Sequence, residues 1–408
     1  MSSGDRAVAV SAVGETFEVE VGPVAHGGHC VARHEGRVVF VRHALPGERV
    51  RVLVTEGTST SSYWRADAVE VLEPGESRVV PPCPWARPGL CGGCDWQHVS
   101  LPQQRRLKAE VVREQLARLA GIDRDVVVEQ VPGDDGGLGW RTRVRYAVDE
   151  TGQAGLRQHR SHTVVPVDWC RIAHPLVVEA RVPERSWPAA SAVEVAASVA
   201  TGESVVRAED EDASVTEVVA GRQFRVGVGG FWQVHPGAAE ALREAVLAGL
   251  DPRPGESALD LYCGAGLFAA ALAERLGGGG RVTAVESDRG AVADARHNLA
   301  DLPGVRVERG RVDHVLRRLH LRRADLVVLD PPRSGAGRAV VDLVSRVRAR
   351  RIAYVACDPA ALARDLRWFG ERGYALADLR AFDLFPMTAH VECVAVLSRQ
   401  RAAPGPES

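Results

Sequence analysis

Three groups of residues in this chain have the types and spacing to do chemistry. The first is Cys357, within Tyr354-Val-Ala-Cys-Asp-Pro-Ala-Ala-Leu-Ala-Arg-Asp365. The apolar run Ile352 to Ala356 reads as a buried strand with Cys357 at its C-terminal end. Asp358 is a natural cap for a following helix, and Pro359 suits its first turn, where no N–H is needed. A thiol beside the positive end of a helix dipole is expected to have a lowered pKa and to favour the nucleophilic thiolate. A buried structural cysteine is the competing reading of the same residue.

The second group is Asp330-Pro-Pro-Arg333 and His390-Val-Glu392, each beside an apolar run. The third is a set of soft ligands. Cys83, Cys91 and Cys94 fall within twelve residues, the last two as Cys-Gly-Gly-Cys, and Cys170 follows in Asp168-Trp-Cys-Arg. Clustered thiolates select zinc or iron–sulfur, and four cysteines serve either. A disulfide framework does not suit a cytosolic chain of 408 residues.

The elements that must position these groups follow from the pattern. Ser257-Ala-Leu-Asp-Leu-Tyr-Cys-Gly-Ala-Gly-Leu-Phe268 is an apolar strand, a glycine turn and a helix running to Leu276. Arg281 to Glu286 is the next strand, ending in an acid placed to bind ribose hydroxyls. Strands near Val305–Glu308, Leu326–Leu329 and Ile352–Ala356 alternate with helices, which argues a parallel doubly wound sheet. The segments Tyr374 to Phe385 and His390 to Leu397 read as an antiparallel hairpin at its edge. Upstream, residues 16 to 72 alternate apolar and polar between close glycine turns, the mark of a small β-barrel. A helix is expected over Ser100 to Ala120. On a strand through Trp140 to Tyr146, Arg141, Arg143 and Arg145 share one face, suited either to phosphate contact or to plain solvation.

Composition sets the outer bounds. The chain is 45% apolar and 25% charged with a net charge of −2, an ordinary globular balance with room for two or three domains. Lys108 is its single lysine. No uninterrupted apolar run is long enough to span a bilayer, and Met1 to Val10 lacks a signal-peptide pattern, so a cytoplasmic location is expected.

Two resemblances follow from these motifs. Gly22-Pro-Val-Ala-His-Gly-Gly-His-Cys-Val-Ala and Ala44-Leu-Pro-Gly-Glu-Arg-Val resemble a TRAM domain, an OB-like RNA-binding barrel. Asp330-Pro-Pro-Arg, the strand-end Cys357, His390-Val-Glu392, Phe231-Trp-Gln233 and the cysteine cluster together resemble the RNA 5-methyluridine methyltransferase family, closest to its iron–sulfur branch acting on large-subunit ribosomal RNA. Family members often show Ser-Cys-Asn at the nucleophile, where this chain has Ala356-Cys357-Asp358.

The resemblance implies an α/β class I S-adenosylmethionine methyltransferase domain over 231–408. It implies a TRAM barrel over 1–73 and a β-rich metal-cluster domain over 74–230, with the 100–120 helix a candidate to pack on the catalytic domain. It implies Cys357 as nucleophile and Glu392 as base, with Asp330 and Arg333 on the uracil. Gln233, Tyr262, Gly264, Glu286 and Asp330 would hold S-adenosylmethionine. Cys83, Cys91, Cys94 and Cys170 would carry a 4Fe-4S cluster, with zinc as the alternative. The implied partner is RNA, ribosomal ahead of transfer RNA, met by a monomer away from any membrane. An amino-methyltransferase using Asp-Pro-Pro leaves Cys357 and Glu392 unexplained, and a non-catalytic RNA-binding protein leaves the cofactor loop unexplained.

Overall fold

The computed structural model describes residues 9–208 and 211–400. Most of the N-terminal stretch read above for a leader therefore lies outside the described residues.

Strands β1 (Thr16–Glu20), β2 (Cys30–His34), β3 (Arg37–Arg42), β4 (Arg49–Glu56) and β5 (Tyr63–Glu73) form one sheet in the order β1-β4-β5-β3-β2. The period-two pattern explains its inner face: Val50, Val52 and Val54 of β4 are buried while the residues between them are not. The link that follows is pinned rather than loose. The buried Glu48 carboxylate accepts from Leu45 N, Gly75 N and the Arg78 guanidinium, at 2.6 to 3.0 Å.

Helix α1 (Leu101–Gln115) runs on through a π-helical turn, Leu116–Ala120, and ends at Gly121, whose φ of +67° suits glycine. This is the helix expected over 100–120, and it packs on the doubly wound domain. Val112 and Leu116 join the core beneath the catalytic sheet. The Lys108 ammonium donates to Asp383 Oδ1 at 2.6 Å and to the Phe385 carbonyl at 3.0 Å, with both side chains buried. Next, β6 (Val128–Gln130) pairs in parallel with a strand 250 residues later.

The central region holds β7 (Arg143–Val148), β8 (Ala154–Arg157), β9 (Val164–Val165), the short helix α2 (Pro175–Val178), β10 (Ala192–Ser198) and β11 (Glu203–Ala208). Its sheet order is β11-β10-β7-β8-β9, and a hairpin of β12 (Ser214–Val219) and β13 (Arg222–Gly227) follows.

The doubly wound fold begins with α3 (Ala238–Leu250). It alternates β14 (Ser257–Leu261), α4 (Leu267–Leu276), β15 (Arg281–Glu286), α5 (Arg289–Asn298), β16 (Val305–Arg309), α6 (Val312–Leu319), β17 (Leu326–Leu329), α7 (Gly337–Arg346), β18 (Arg351–Ala356) and α8 (Pro359–Gly370), then closes with β19 (Tyr374–Asp383) and β20 (Glu392–Arg399). The order is β16-β15-β14-β17-β18-β20-β19-β6, with the first five strands parallel. Strands β14, β17 and β18 are buried along nearly their whole length, and apolar apart from Ser257, Asp260 and Arg351, because helices cover both faces. The expected terminal hairpin is present, with one difference. Its strand β20 lies inside, against β18, and β6 covers the outer side of β19, so the hairpin is not the sheet edge.

A buried ammonium and carboxylate with no water to fall back on are costly to separate. Lys108→Met should lower unfolding free energy by about 3–5 kcal/mol, because it strands the Asp383 charge. The double variant Lys108→Met/Asp383→Leu should recover most of that loss. Urea denaturation checks both; a single variant as stable as the parent contradicts the account.

Candidate active site

In a doubly wound sheet, ligands sit outside the carboxyl ends of the strands, where the strand order reverses. Here that point lies between β14 and β17. Register aligns the ends. Leu261 lies beside Leu329, Leu329 beside Tyr354, and Ala356 opposite Cys393. One step further, Tyr262, Asp330, Cys357 and Glu392 emerge from four adjacent strands, with Glu286 at the end of β15.

The glycine turn after β14 is tight. Tyr262 is held at φ +66°, a costly value for a side chain of its size, with its N–H and that of Cys263 both donating to the Val285 carbonyl. Gly266 opens α4 at φ +97°, and a Cβ there would lie 2.9 Å from Leu299 Cδ1. The Glu286 carboxylate folds back to accept from Gly264 N at 3.1 Å and from Ser287 N and Asp288 N at 2.6 and 2.8 Å. Strand end and glycine turn are thus locked at the place where a ribose and an amino-acid moiety would lie. Gln233 is buried on the segment leading into α3, whose Val234 carbonyl accepts from Thr142 N and Oγ1. Its neighbour Phe231 is exposed and Trp232 is buried.

The helix cap beside Cys357 forms as its sequence predicts. Asp358 Oδ1 accepts from Ala361 N at 2.8 Å and caps α8, with Pro359 in the first turn. The expected thiolate does not follow. Cys357 is pushed up to about 12, first by burial and next by Glu392, with Asp330 and Asp358 adding and Arg333 opposing. A helix dipole contributes roughly half a charge, too little against buried carboxylates. The carboxylates are themselves perturbed. Burial, then Glu286, pushes Asp330 up to about 7. Burial, then Asp330, holds Glu392 well above the usual carboxylate range, with Arg333 pulling the other way. Burial, then Asp330, pushes Asp260 up to about 8. With Glu392 protonated its push on the thiol disappears, so the ionisation of each group depends on the others. Arg333 also approaches His390 Nε2 at 3.4 Å.

Two expectations about the central region change. Arg143 and Arg145 do not present a basic face. Arg143 is buried, with Nη1 donating to the Gly227, Val228 and Gly230 carbonyls and Nη2 3.7 Å from Glu217. Arg145 pairs with Glu194 at 2.7 Å, and Arg141 Nε donates to the Arg143 carbonyl. Hairpin and cross-strand partners that lie far away in sequence pair with Arg143 and Arg145. The four cysteines do come together: Cys83, Cys91, Cys94 and Cys170 line one cavity of about 560 Å³, all as free thiols. Gly93 N donates to Cys91 Sγ and Gln97 Nε2 to Cys94 Sγ, both at 3.4 Å. Burial pushes Cys91 up to about 11 and raises Cys94 and Cys170. Among the described residues, no three histidine, cysteine or acidic side chains converge closely enough to hold a metal ion. The donor chemistry is that of a thiolate-bound group.

Comparison with known proteins bears on this geometry. Residues 10–69 match the TRAM domain model, and residues 216–400 match the model described as tRNA (uracil-5-)-methyltransferase. An uncharacterized RNA methyltransferase of Streptomyces avermitilis is 53% identical over 94% of this chain and 98% of its own. Another from Bifidobacterium longum is 39% identical over 94% and 96%. The chain belongs to the RNA 5-methyluridine methyltransferase family. As a member it is an RNA methyltransferase with S-adenosylmethionine as methyl donor. Its fold is that of a Pyrococcus abyssi tRNA (uracil-54, C5)-methyltransferase in complex with S-adenosyl-L-homocysteine. That structure is 21% identical, with a TM-score of 0.70 covering 93% of this chain and 100% of the other. No helix among the described residues is long and apolar enough to cross a membrane.

Sequence reading passed over two residues that touch this site, His26 and Asp95. Each makes its contact across nearly three hundred residues or more, at a separation where no local pattern gives a signal.

The raised thiol makes a direct prediction. Alkylation of Cys357 by iodoacetamide, followed peptide by peptide, should accelerate about tenfold per pH unit from pH 7 to 9, as the thiolate fraction grows. Arg333→Ala removes the opposing cation and should slow it about tenfold. A rate independent of pH over that range contradicts the assignment.

Proposed function

We propose that the chain methylates carbon 5 of a uridine in large-subunit ribosomal RNA through a covalent adduct at Cys357. The observation that supports this most is the register that sets Asp330, Cys357 and Glu392 at adjacent strand ends beside the glycine turn. Carbon 5 of uracil is a poor nucleophile. Addition of the Cys357 thiolate to carbon 6 moves the ring electrons onto O4 as an enolate, and carbon 5 would then take the methyl group of S-adenosylmethionine as its sulfur–methyl bond breaks and S-adenosylhomocysteine leaves. Glu392 takes the proton from carbon 5, the 5,6 double bond re-forms, and the carbon–sulfur bond breaks to return the thiolate. A carboxyl whose pKa is raised by burial is, once ionised, a stronger base, which suits that last role.

Arg333 favours the ionised forms of both Cys357 and Glu392, so it would also stabilise the negative charge developing on the uracil. Asp330 would hold the ring edge while neighbouring the donor. Gln233, Tyr262, Gly264 and Glu286 would hold S-adenosylmethionine. The uridine must leave its stack to reach buried groups, which favours unpaired RNA. Cys83, Cys91, Cys94 and Cys170 would hold a 4Fe-4S cluster or a zinc ion, which would supply a rigid cross-link between the segments that carry them. The ribosomal assignment rests on the pairing of this cysteine set with a TRAM barrel. A transfer-RNA substrate is the second reading, favoured by the name of the matching catalytic-domain family. A cytoplasmic enzyme acting as a monomer completes the proposal.

RNA carrying 5-fluorouridine tests the mechanism, since fluorine on carbon 5 cannot leave as a proton. A stable protein–RNA adduct should form with the parent and vanish in Cys357→Ala. Glu392→Gln should instead accumulate a methylated adduct on ordinary RNA. Methyl transfer without any adduct contradicts the mechanism. Mass mapping of both RNAs from a deletion strain decides the substrate: a methyl lost from transfer RNA alone overturns the ribosomal assignment. For the cysteine set, anaerobically purified protein should contain about four irons per chain with visible absorption, lost in Cys91→Ser. Zinc in place of iron would select the alternative, and neither metal would overturn the proposed site.

A further inference from the structure

The barrel touches the catalytic corner through one turn, Ala25-His26-Gly27-Gly28-His29. His26 Nε2 lies 3.0 Å from Asp358 Oδ2, across 332 residues. Asp358 directly follows Cys357, and its other oxygen caps α8. Two residues along the turn, the Gly28 carbonyl accepts from Trp96 Nε1 at 3.1 Å, and Gly28 stands at φ +83°. A Cβ there would fall 2.3 Å from Ala389 Cβ, so the turn backbone is pressed onto the segment leading to Glu392. That segment is held from a second side, since Ala389 N donates to Asp95 Oδ2 and the Asp95 and Trp96 N–H groups both donate to the Met387 carbonyl.

We propose that this barrel turn is part of the active site, with His26 a positioning residue that fixes the Cys357–Asp358 corner and offsets the Asp358 charge beside the thiol. The inference rests on Cys357 being the nucleophile. It explains how an acid is accommodated next to that thiol, because an unpaired Asp358 would oppose the thiolate. The groups facing the thiol are Glu392, Arg333, Asp330 and Asp358, and those facing His26 are Asp358 and Glu114 of α1. The pair also raises His26, through its hydrogen bond to Asp358, toward the cationic form the role needs.

The test uses the full chain without RNA. His26→Gln should slow iodoacetamide alkylation of Cys357 about three- to tenfold at fixed pH. Asp358→Asn keeps a helix cap but removes the charge, and should speed it. In the Asp358→Asn background, His26→Gln should have no further effect, the signature of a coupled pair. With RNA, His26→Gln should lower kcat and leave KM for RNA unchanged. Unchanged alkylation with a raised KM would make His26 an RNA-binding residue and overturn the proposal, as would additive effects in the double variant. Alkylation is read without methyl transfer. An active Cys357→Ala would refute the nucleophile assignment separately, whatever the coupling result.

Discussion

Buried negative charge is the constraint on which the rest of this site depends. Asp260 and Glu392 are buried and Asp330 is half-buried at neighbouring strands, and burial is the first cause of the raised pKa in each. Three carboxylates packed this closely cannot all ionise, so one proton gained or lost changes what its neighbours can hold. Arg333 enters as the opposing cation for both the thiol and Glu392. The ionisation states of these groups are therefore coupled to one another.

Charges of this kind are useful only where the backbone leaves them no freedom, and three regions of the chain combine to hold them. The parallel strands fix Asp330 and Cys357 through register. The segment bearing His390 and Glu392 is held by Gln104, which accepts from Met387 N at 2.8 Å, and by Asp95. Gln104 Nε2 in turn donates to the Trp96 and Val99 carbonyls, so the residues just after Cys94 and the residues just before Glu392 share one polar network. The cysteine cavity and the strand that begins at Glu392 are thus structurally adjacent in a way that neither motif discloses alone.

Much of the architecture was legible in the sequence, because local periodicity and turn chemistry decide it. The strands around Leu326–Leu329 and Ile352–Ala356, the cap at Asp358 and the glycine turn at Gly264–Gly266 stand where their patterns place them. What was not legible was decided by distant partners. Arg143 looks like a surface cation until the β12–β13 hairpin supplies Glu217 and three carbonyls. Cys357 looks like a thiolate until Glu392 and Asp330 arrive from other strands. Val128–Gln130 is too short to announce itself, and only β19 makes it a strand.

That short strand, with α1, has a consequence for how the molecule is made. The catalytic sheet takes its outermost strand from residues 128–130, and its core takes Val112 and Leu116, before the central region has been synthesised. Lys108 meets Asp383 only after 275 further residues. At about 5–20 residues per second, a ribosome needs roughly 15–55 s to deliver that partner. For that interval the buried ammonium of α1 lacks its carboxylate, while the barrel before it has every strand of its sheet. The chain therefore emerges with a finished first domain and an unfinished second one that waits for its last strands.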